Sequence, residues 1–104
     1  SLYCITVCTG AALLAKTGLI NGVKATSNKR SFDWVKSVNL EVNWIYKARW
    51  VRDNKYYTSS GVSAGIDMIL GFVADRVSKE KAKEIAENIE YVWNDHSSED
   101  IFAK

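Results

Sequence analysis

The sequence predicts an α/β layered fold, and three observations carry that expectation. The opening run Leu2-Tyr3-Cys4-Ile5-Thr6-Val7 is mostly apolar and reads as a buried parallel strand. Strand-like and helix-like segments then alternate along the chain. The last two helical segments carry apolar stripes that suit them to the faces of a sheet.

After the strand, Thr9 to Lys16 reads as a short, nearly all-apolar helix, buried for that reason, with Gly18 in the usual position for a helix stop. Asn21-Gly22 supplies a turn, and Val23-Lys24-Ala25-Thr26 reads as a short strand. Ser31 is placed to cap a second helix running to about Ser37, with Phe32, Trp34 and Val35 on it. Val42 to Val51 and Tyr56 to Ser59 are two strands joined by a tight turn at Asp53-Asn54. From Val62, the positions Val62, Ile66, Ile69, Leu70, Val73 and Val77 form a helical stripe widened by Met68 and Phe72, so this helix is expected to be the most buried element. A last helix starts at Ser78 and lays Ala82, Ile85, Ala86, Ile89, Val92 and Trp93 on the sheet from outside. The tail from Asn94 to Lys104 has no periodicity and is expected to run along the surface.

A chain of 104 residues holds one domain at most, with a limited core. Its 47% hydrophobic and 25% charged residues are ordinary for a globular protein. The net charge of +2 is small and its basic residues are dispersed, which argues against nucleic acid or an anionic membrane as partner. No apolar run reaches the roughly 18 residues of a membrane span, so the expected location is the cytosol. Cys4 and Cys8 on one strand would stand about 13 Å apart, too far to bridge. With one distant His96 they also lack zinc-ligand spacing, and neither metal nor cofactor is expected. Because a buried parallel strand needs neighbours on both sides, an opening strand of this kind predicts that an N-terminal portion is missing, cleaved or supplied by another chain.

Ligands in α/β sheets bind beyond the carboxyl ends of the strands, which directs attention to Cys8. The chain must turn sharply there, because Val7 ends a strand and Thr9-Gly10 begins a helix, much as at a hydrolase nucleophile elbow. Gly10, Ala11 and Ala12 let the helix approach the strand, and its first-turn amides point toward the sulfur and favour the thiolate. The competing reading is a small buried hydrophobe, and it is the stronger one for Cys4.

The blocks Val7-Cys8-Thr9-Gly10-Ala11, Gly18-Leu19-Ile20-Asn21-Gly22-Val23-Lys24-Ala25-Thr26 and Thr58-Ser59-Ser60-Gly61-Val62-Ser63-Ala64-Gly65-Ile66-Asp67 together resemble ThiJ/PfpI proteins. The resemblance implies a flavodoxin-like sandwich, here the C-terminal portion of a class I glutamine amidotransferase-like domain. It implies Cys8 as nucleophile, the Thr9 amide helping to hold an oxyanion, and a partner carboxylate from the first half of the domain. Many relatives carry a histidine where Asn28 stands, and asparagine cannot act as a base near neutral pH. That departure favours relatives resembling isocyanide hydratases over glutaminase-like triad enzymes. Asn28 and Ser60 are the candidate substrate contacts, with turn and helix-start roles as their alternatives.

His96 reads as a solvated tail residue, Asp67 as a structural carboxylate, and the tryptophans as core. Two functions are therefore expected for the fold: a cysteine-dependent lyase or hydratase acting on a small electrophile such as an isocyanide or methylglyoxal, or a non-catalytic redox-sensing or chaperone-like module. An inactive fragment is the third possibility, stable only as an oligomer. The partner expected in the enzyme case is a small-molecule substrate, and the chain is expected to form a homodimer or to associate with the missing N-terminal part.

Overall fold

The structure, a computed structural model, describes residues 3–100 and 103. Leu2, Ile101, Phe102 and Lys104, which the strand and tail readings included, lie outside the described residues. Strand β1 (Cys4–Val7) leads into helix α1 (Gly10–Lys16), then strand β2 (Lys24–Ala25) and a 3-10 turn (Lys29–Ser31) that runs into helix α2 (Phe32–Val38). Strands β3 (Asn43–Trp44), β4 (Trp50–Asp53) and β5 (Tyr56–Ser59) follow, then helices α3 (Val62–Arg76) and α4 (Lys79–Asn88).

The sheet has the order β1-β5-β4, with β1 parallel to β5 and β4 antiparallel to it. Strands β2 and β3 form a separate parallel pair. The expected hairpin is present between β4 and β5, with Asn54 at φ 58° in its turn, a conformation asparagine tolerates. The stretch from Val42 to Val51, read as one strand, divides in two: Asn43 and Trp44 leave the hairpin to pair with Lys24 and Ala25. Gly18 and Gly22 both sit at positive φ, 78° and 76°, which is why the chain can double back between α1 and β2.

Alternation along β5 sends successive tyrosines to opposite faces. Tyr56 packs with Ala15, Ile20, Ala25 and Val42 on the α1 side. Tyr57 packs with Trp50 and Met68 on the α3 side. Helices thus lie on both faces of the sheet, as an α/β arrangement requires. Helix α1 is buried on one face only: Ala11, Ala12 and Ala15 are covered, while Leu13 is 76% exposed.

The long helix α3 corrects the sequence reading. Of its expected stripe, Leu70 and Met68 are covered, but Val62, Ile66, Ile69 and Val77 are exposed, and the other covered residues are Ala64, Gly65, Asp67 and Gly71. The reason is close approach: a Cβ on Gly65 would stand 3.0 Å from Val7 Cγ1, and one on Gly71 would stand 3.3 Å from Trp50. Small residues bring this helix onto the sheet, so branched side chains must point elsewhere.

Helix α4 covers α3 and not the sheet: Ala82 and Ala86 pack on Leu70. It begins as expected, with Ser78 Oγ accepting from the Lys81 amide at 3.0 Å, and it ends at Asn88, so Ile89 and Val92 are exposed. The tail is docked and does not simply run over the surface. Ser97 O accepts from the amides of Arg49 and Trp50 at 2.6 and 3.3 Å, the Asp100 amide donates to Lys47 O at 2.6 Å, and Asp100 itself is buried. Among the tryptophans Trp50 is core, whereas Trp34 is exposed.

Tyr57 is fully buried, and its hydroxyl donates to Asp75 Oδ2 at 2.8 Å. Burial, and then the Asp75 carboxylate, push its pKa up to about 12 from 10.0. The folded protein therefore keeps this proton while the unfolded chain loses it between pH 10 and 12, so stability falls across that window, by on the order of 2 kcal/mol. Tyr57→Phe should cost about 1 kcal/mol at pH 8, where the hydrogen bond is intact, and should flatten the alkaline decline. Urea midpoints of both proteins at pH 8 and above pH 10 check this; parallel declines would show that Tyr57 is not the titrating group.

Candidate active site

Cys8 has φ 54°, a left-handed conformation that costs a non-glycine residue about 1 kcal/mol or more. The strain follows from its place in the chain. Val7 is the last residue of β1 and Gly10 the first of α1, so the reversal from strand to helix falls on Cys8 and Thr9. Gly10 faces Thr6, where an added Cβ would stand 3.4 Å from the Thr6 Cβ, so helix and strand are in close contact at the bend.

Neighbouring strand ends hold the bend. The parallel register pairs Val7 with Ser59, so Cys8 leaves the sheet level with Ser60. Ser27 Oγ donates to the Cys8 carbonyl at 2.7 Å. Ser27 is itself fixed because the Thr26 amide donates to Thr58 Oγ1 at 2.9 Å. Three strand ends, those of β1, β2 and β5, therefore meet at Cys8, whose thiol is half-buried and free.

A buried cation ties this cluster to the rest of the fold. Lys29 Nζ donates to Thr26 Oγ1, Ser27 O and Ala48 O at 3.0, 3.0 and 2.9 Å and pairs with Asp100 at 3.6 Å. Burial lowers its pKa from the ordinary lysine value, and the Asp100 carboxylate opposes that shift. Its three N–H donors are all occupied, so Lys29 braces the loop rather than acting on a substrate. Arg49 pairs with the buried Asp67, whose other oxygen accepts from the Asn94 amide at 2.9 Å. Asp67 is thus a structural carboxylate that anchors a neighbouring segment.

A cavity of about 230 Å³ opens at these strand ends, lined in part by Asn28, Ser60, Gly61 and Arg49. Asn28 and Ser60, the two expected substrate contacts, lie on its wall together. Cys8 is not among its lining residues but joins it through Ser27, next to Asn28, and through its level with Ser60. Thr9 turns the other way and borders a groove between α1 and α2 with Leu13, Trp34 and Val38. Cys4 is mid-strand and half-buried against the α1 core. His96 is exposed, with its side chain 85% accessible.

Ser27, Lys29, Arg49 and Asp100 were not singled out in the sequence. Ser27 and Lys29 flank Asn28 and could have been grouped with it. Arg49 and Asp100 carry no local signal, because their roles arise from contacts 18 and more residues distant in the chain.

Residues 3–75 match the model of the DJ-1/PfpI family. The chain is 32% identical over 89 residues to an isonitrile hydratase of Pseudomonas putida, covering 86% of this chain and 38% of that protein. Its structure is similar to that of a ThiJ/PfpI family protein of Pseudomonas syringae, with a TM-score of 0.72 at 32% identity, over 88% of this chain and 37% of the other. It is also similar to Drosophila melanogaster DJ-1beta, with a TM-score of 0.74 at 22% identity, over 88% of this chain and 47% of that one. The chain therefore spans less than half the length of the relatives it matches, and its α/β fold corresponds to part of their domain.

The strain at Cys8 generates a stability test. Cys8→Gly should be more stable than Cys8→Ala by about 1 kcal/mol, because glycine enters the left-handed region freely and alanine does not. Equal urea midpoints for the two variants would mean that the bend is not strained in solution.

Proposed function

This chain belongs to the DJ-1/PfpI family, and on that premise we propose that Cys8 is the nucleophile of a hydratase acting on a small electrophile of the isonitrile type. The observation that carries this reading is the left-handed Cys8 at the strand-to-helix bend, held by Ser27. A strained nucleophile at such a bend presents its side chain beyond the strand ends, where ligands of α/β sheets bind. The likeness to an isonitrile hydratase supports the choice of electrophile.

In the proposed reaction the Cys8 sulfur bonds to the terminal carbon of R–N≡C, which also takes up a proton, and a thioimidate forms. Water then adds to that carbon and the thiol leaves, giving an N-substituted formamide and restoring Cys8. One water is consumed and no electrons are exchanged. The Thr9 amide would face the charge that develops as water adds. Asn28 cannot serve as the base, and Lys29 has no donor or lone pair to spare. We assign the base to the remainder of a longer domain, joining along β1, which is an edge of its sheet among the described residues and exposes Ile5 and Val7. Both thiols are free, which suits a reducing compartment such as the cytosol.

Turnover of a small alkyl isonitrile by the full-length protein, followed as formamide release, tests the reading. Cys8→Ser should lose activity to the background rate, while Cys4→Ser should retain it. Equal rates for Cys8→Ser and the parent protein would refute a nucleophilic role. Peroxide oxidation of Cys8 with no turnover would instead mark a redox-sensing thiol.

A further inference from the structure

Asp100 comes to the site from the opposite end of the chain and is buried there, its side chain 4% exposed. Its carboxylate lies 3.6 Å from the Lys29 ammonium, which is covered as deeply, at 5%. Backbone ties hold this part of the tail in place: the Asp100 amide donates to Lys47 O, and Ser97 O accepts from Arg49 and Trp50. Burying a carboxylate is costly, so its presence beside the strand ends calls for a reason.

The surroundings of Lys29 supply one. Its ammonium donates to Thr26 Oγ1, Ser27 O and Ala48 O, which are all neutral, and the balancing charge comes from Asp100. Burial works against the ammonium and the Asp100 carboxylate supports it. Without Asp100 the amine would lose its proton or turn toward water, and either way the oxygens around it would lose donors. Ser27 is where this matters for the nucleophile. Its carbonyl accepts from Lys29, while its hydroxyl donates to the Cys8 carbonyl at 2.7 Å. Cys8 sits at φ 54°, and a strained backbone of this kind persists only while its surroundings hold it.

We infer that Asp100 is a positioning residue for Cys8: by holding Lys29 in place it fixes Ser27, and through Ser27 the left-handed bend that presents the thiol. The inference rests on Cys8 being the nucleophile. It makes the C-terminal tail part of the support of the site as well as a cover for β4.

Cys8→Gly and Cys8→Ala in the full-length protein measure the strain at the bend, and repeating the comparison in Asp100→Asn tests what holds it. With Asp100 present, the glycine variant should have the higher urea midpoint. In Asp100→Asn the bend can relax, so the gap should shrink by about half or more, whereas a carboxylate that only stabilised the fold would lower both variants equally and leave the gap intact. Should Asp100→Asn be too unstable to fold, Lys29→Met combined with Asp100→Asn leaves no lone buried charge and serves as the background, and the same narrowing is expected because Ser27 O still loses its donor. Turnover of a small alkyl isonitrile gives a second readout. A displaced nucleophile lowers kcat and spares binding, so Asp100→Asn should lose about ten-fold in kcat with KM within roughly two-fold, and Asp100→Glu, which keeps the carboxylate, should recover most of the loss. A gap absent with Asp100 in place, or a gap or kcat that Asp100→Asn leaves unchanged, would overturn the positioning role while the nucleophile reading stands. Full turnover in Cys8→Ser would overturn that reading and this inference with it.

Discussion

The parallel pairing of β1 with β5, from Cys4 against Tyr56 to Val7 against Ser59, decides where the chemistry of this chain can sit. Parallel strands end at the same edge, so the bend after Val7 and the turn after Ser59 arrive side by side. A shift of one residue in that register would turn Tyr57 out of the Trp50 and Met68 core, and the packing of both faces opposes it. Because β4 runs antiparallel, its first residue and the preceding Arg49 arrive at the same edge. Cys8, Ser60 and Arg49 are thus brought together by strand direction alone.

Buried ion pairs then fix the loops that sequence proximity cannot. Arg49 is held by Asp67 of α3, and Lys29 by Asp100 of the tail, so both cations reach the cavity already neutralised. A buried pair of this kind adds little net stability but is costly to break, because the survivor would remain charged in a poor solvent. Its contribution is to hold a loop in one place. Ser97 O extends the arrangement by accepting from Arg49 and Trp50, covering the outer edge of β4 and tying the tail to the strand that presents Arg49.

Much of the fold was legible in the residues. The strand-to-helix bend at Cys8, the β4–β5 hairpin, the positions of Gly18 and Gly22, and the cap at Ser78 all follow from local chemistry. The burial of α3 did not. Its isoleucines suggested a core face, yet Gly65 on Val7 and Gly71 on Trp50 place the opposite face against the sheet. Glycine carries no hydropathy signal for close packing, so periodicity found Leu70 and Met68 but also named Val62, Ile66, Ile69 and Val77, which are exposed. Among the candidate site residues, the bend at Cys8 and the shared cavity wall of Asn28 and Ser60 were readable because each follows a strand-like run. Ser27 was overlooked because a buried serine in a turn resembles any other until its partner, the Cys8 carbonyl, is known.

The same close packing still leaves apolar side chains uncovered. Gly65 draws α3 toward Val7, yet Val7 and Ile5 stay 39% and 37% exposed, and Ile66 and Ile69 of the helix are exposed as well. Exposed Ile5 and Val7 on an edge strand form the kind of surface that soluble proteins cover, and an edge with unpaired amides and carbonyls is a template for a further strand. Such a strand would enter the sheet beside β1, whose last residue directly precedes Cys8. The exposed edge and the uncovered Ile5 and Val7 are therefore one structural problem, met by a single added strand.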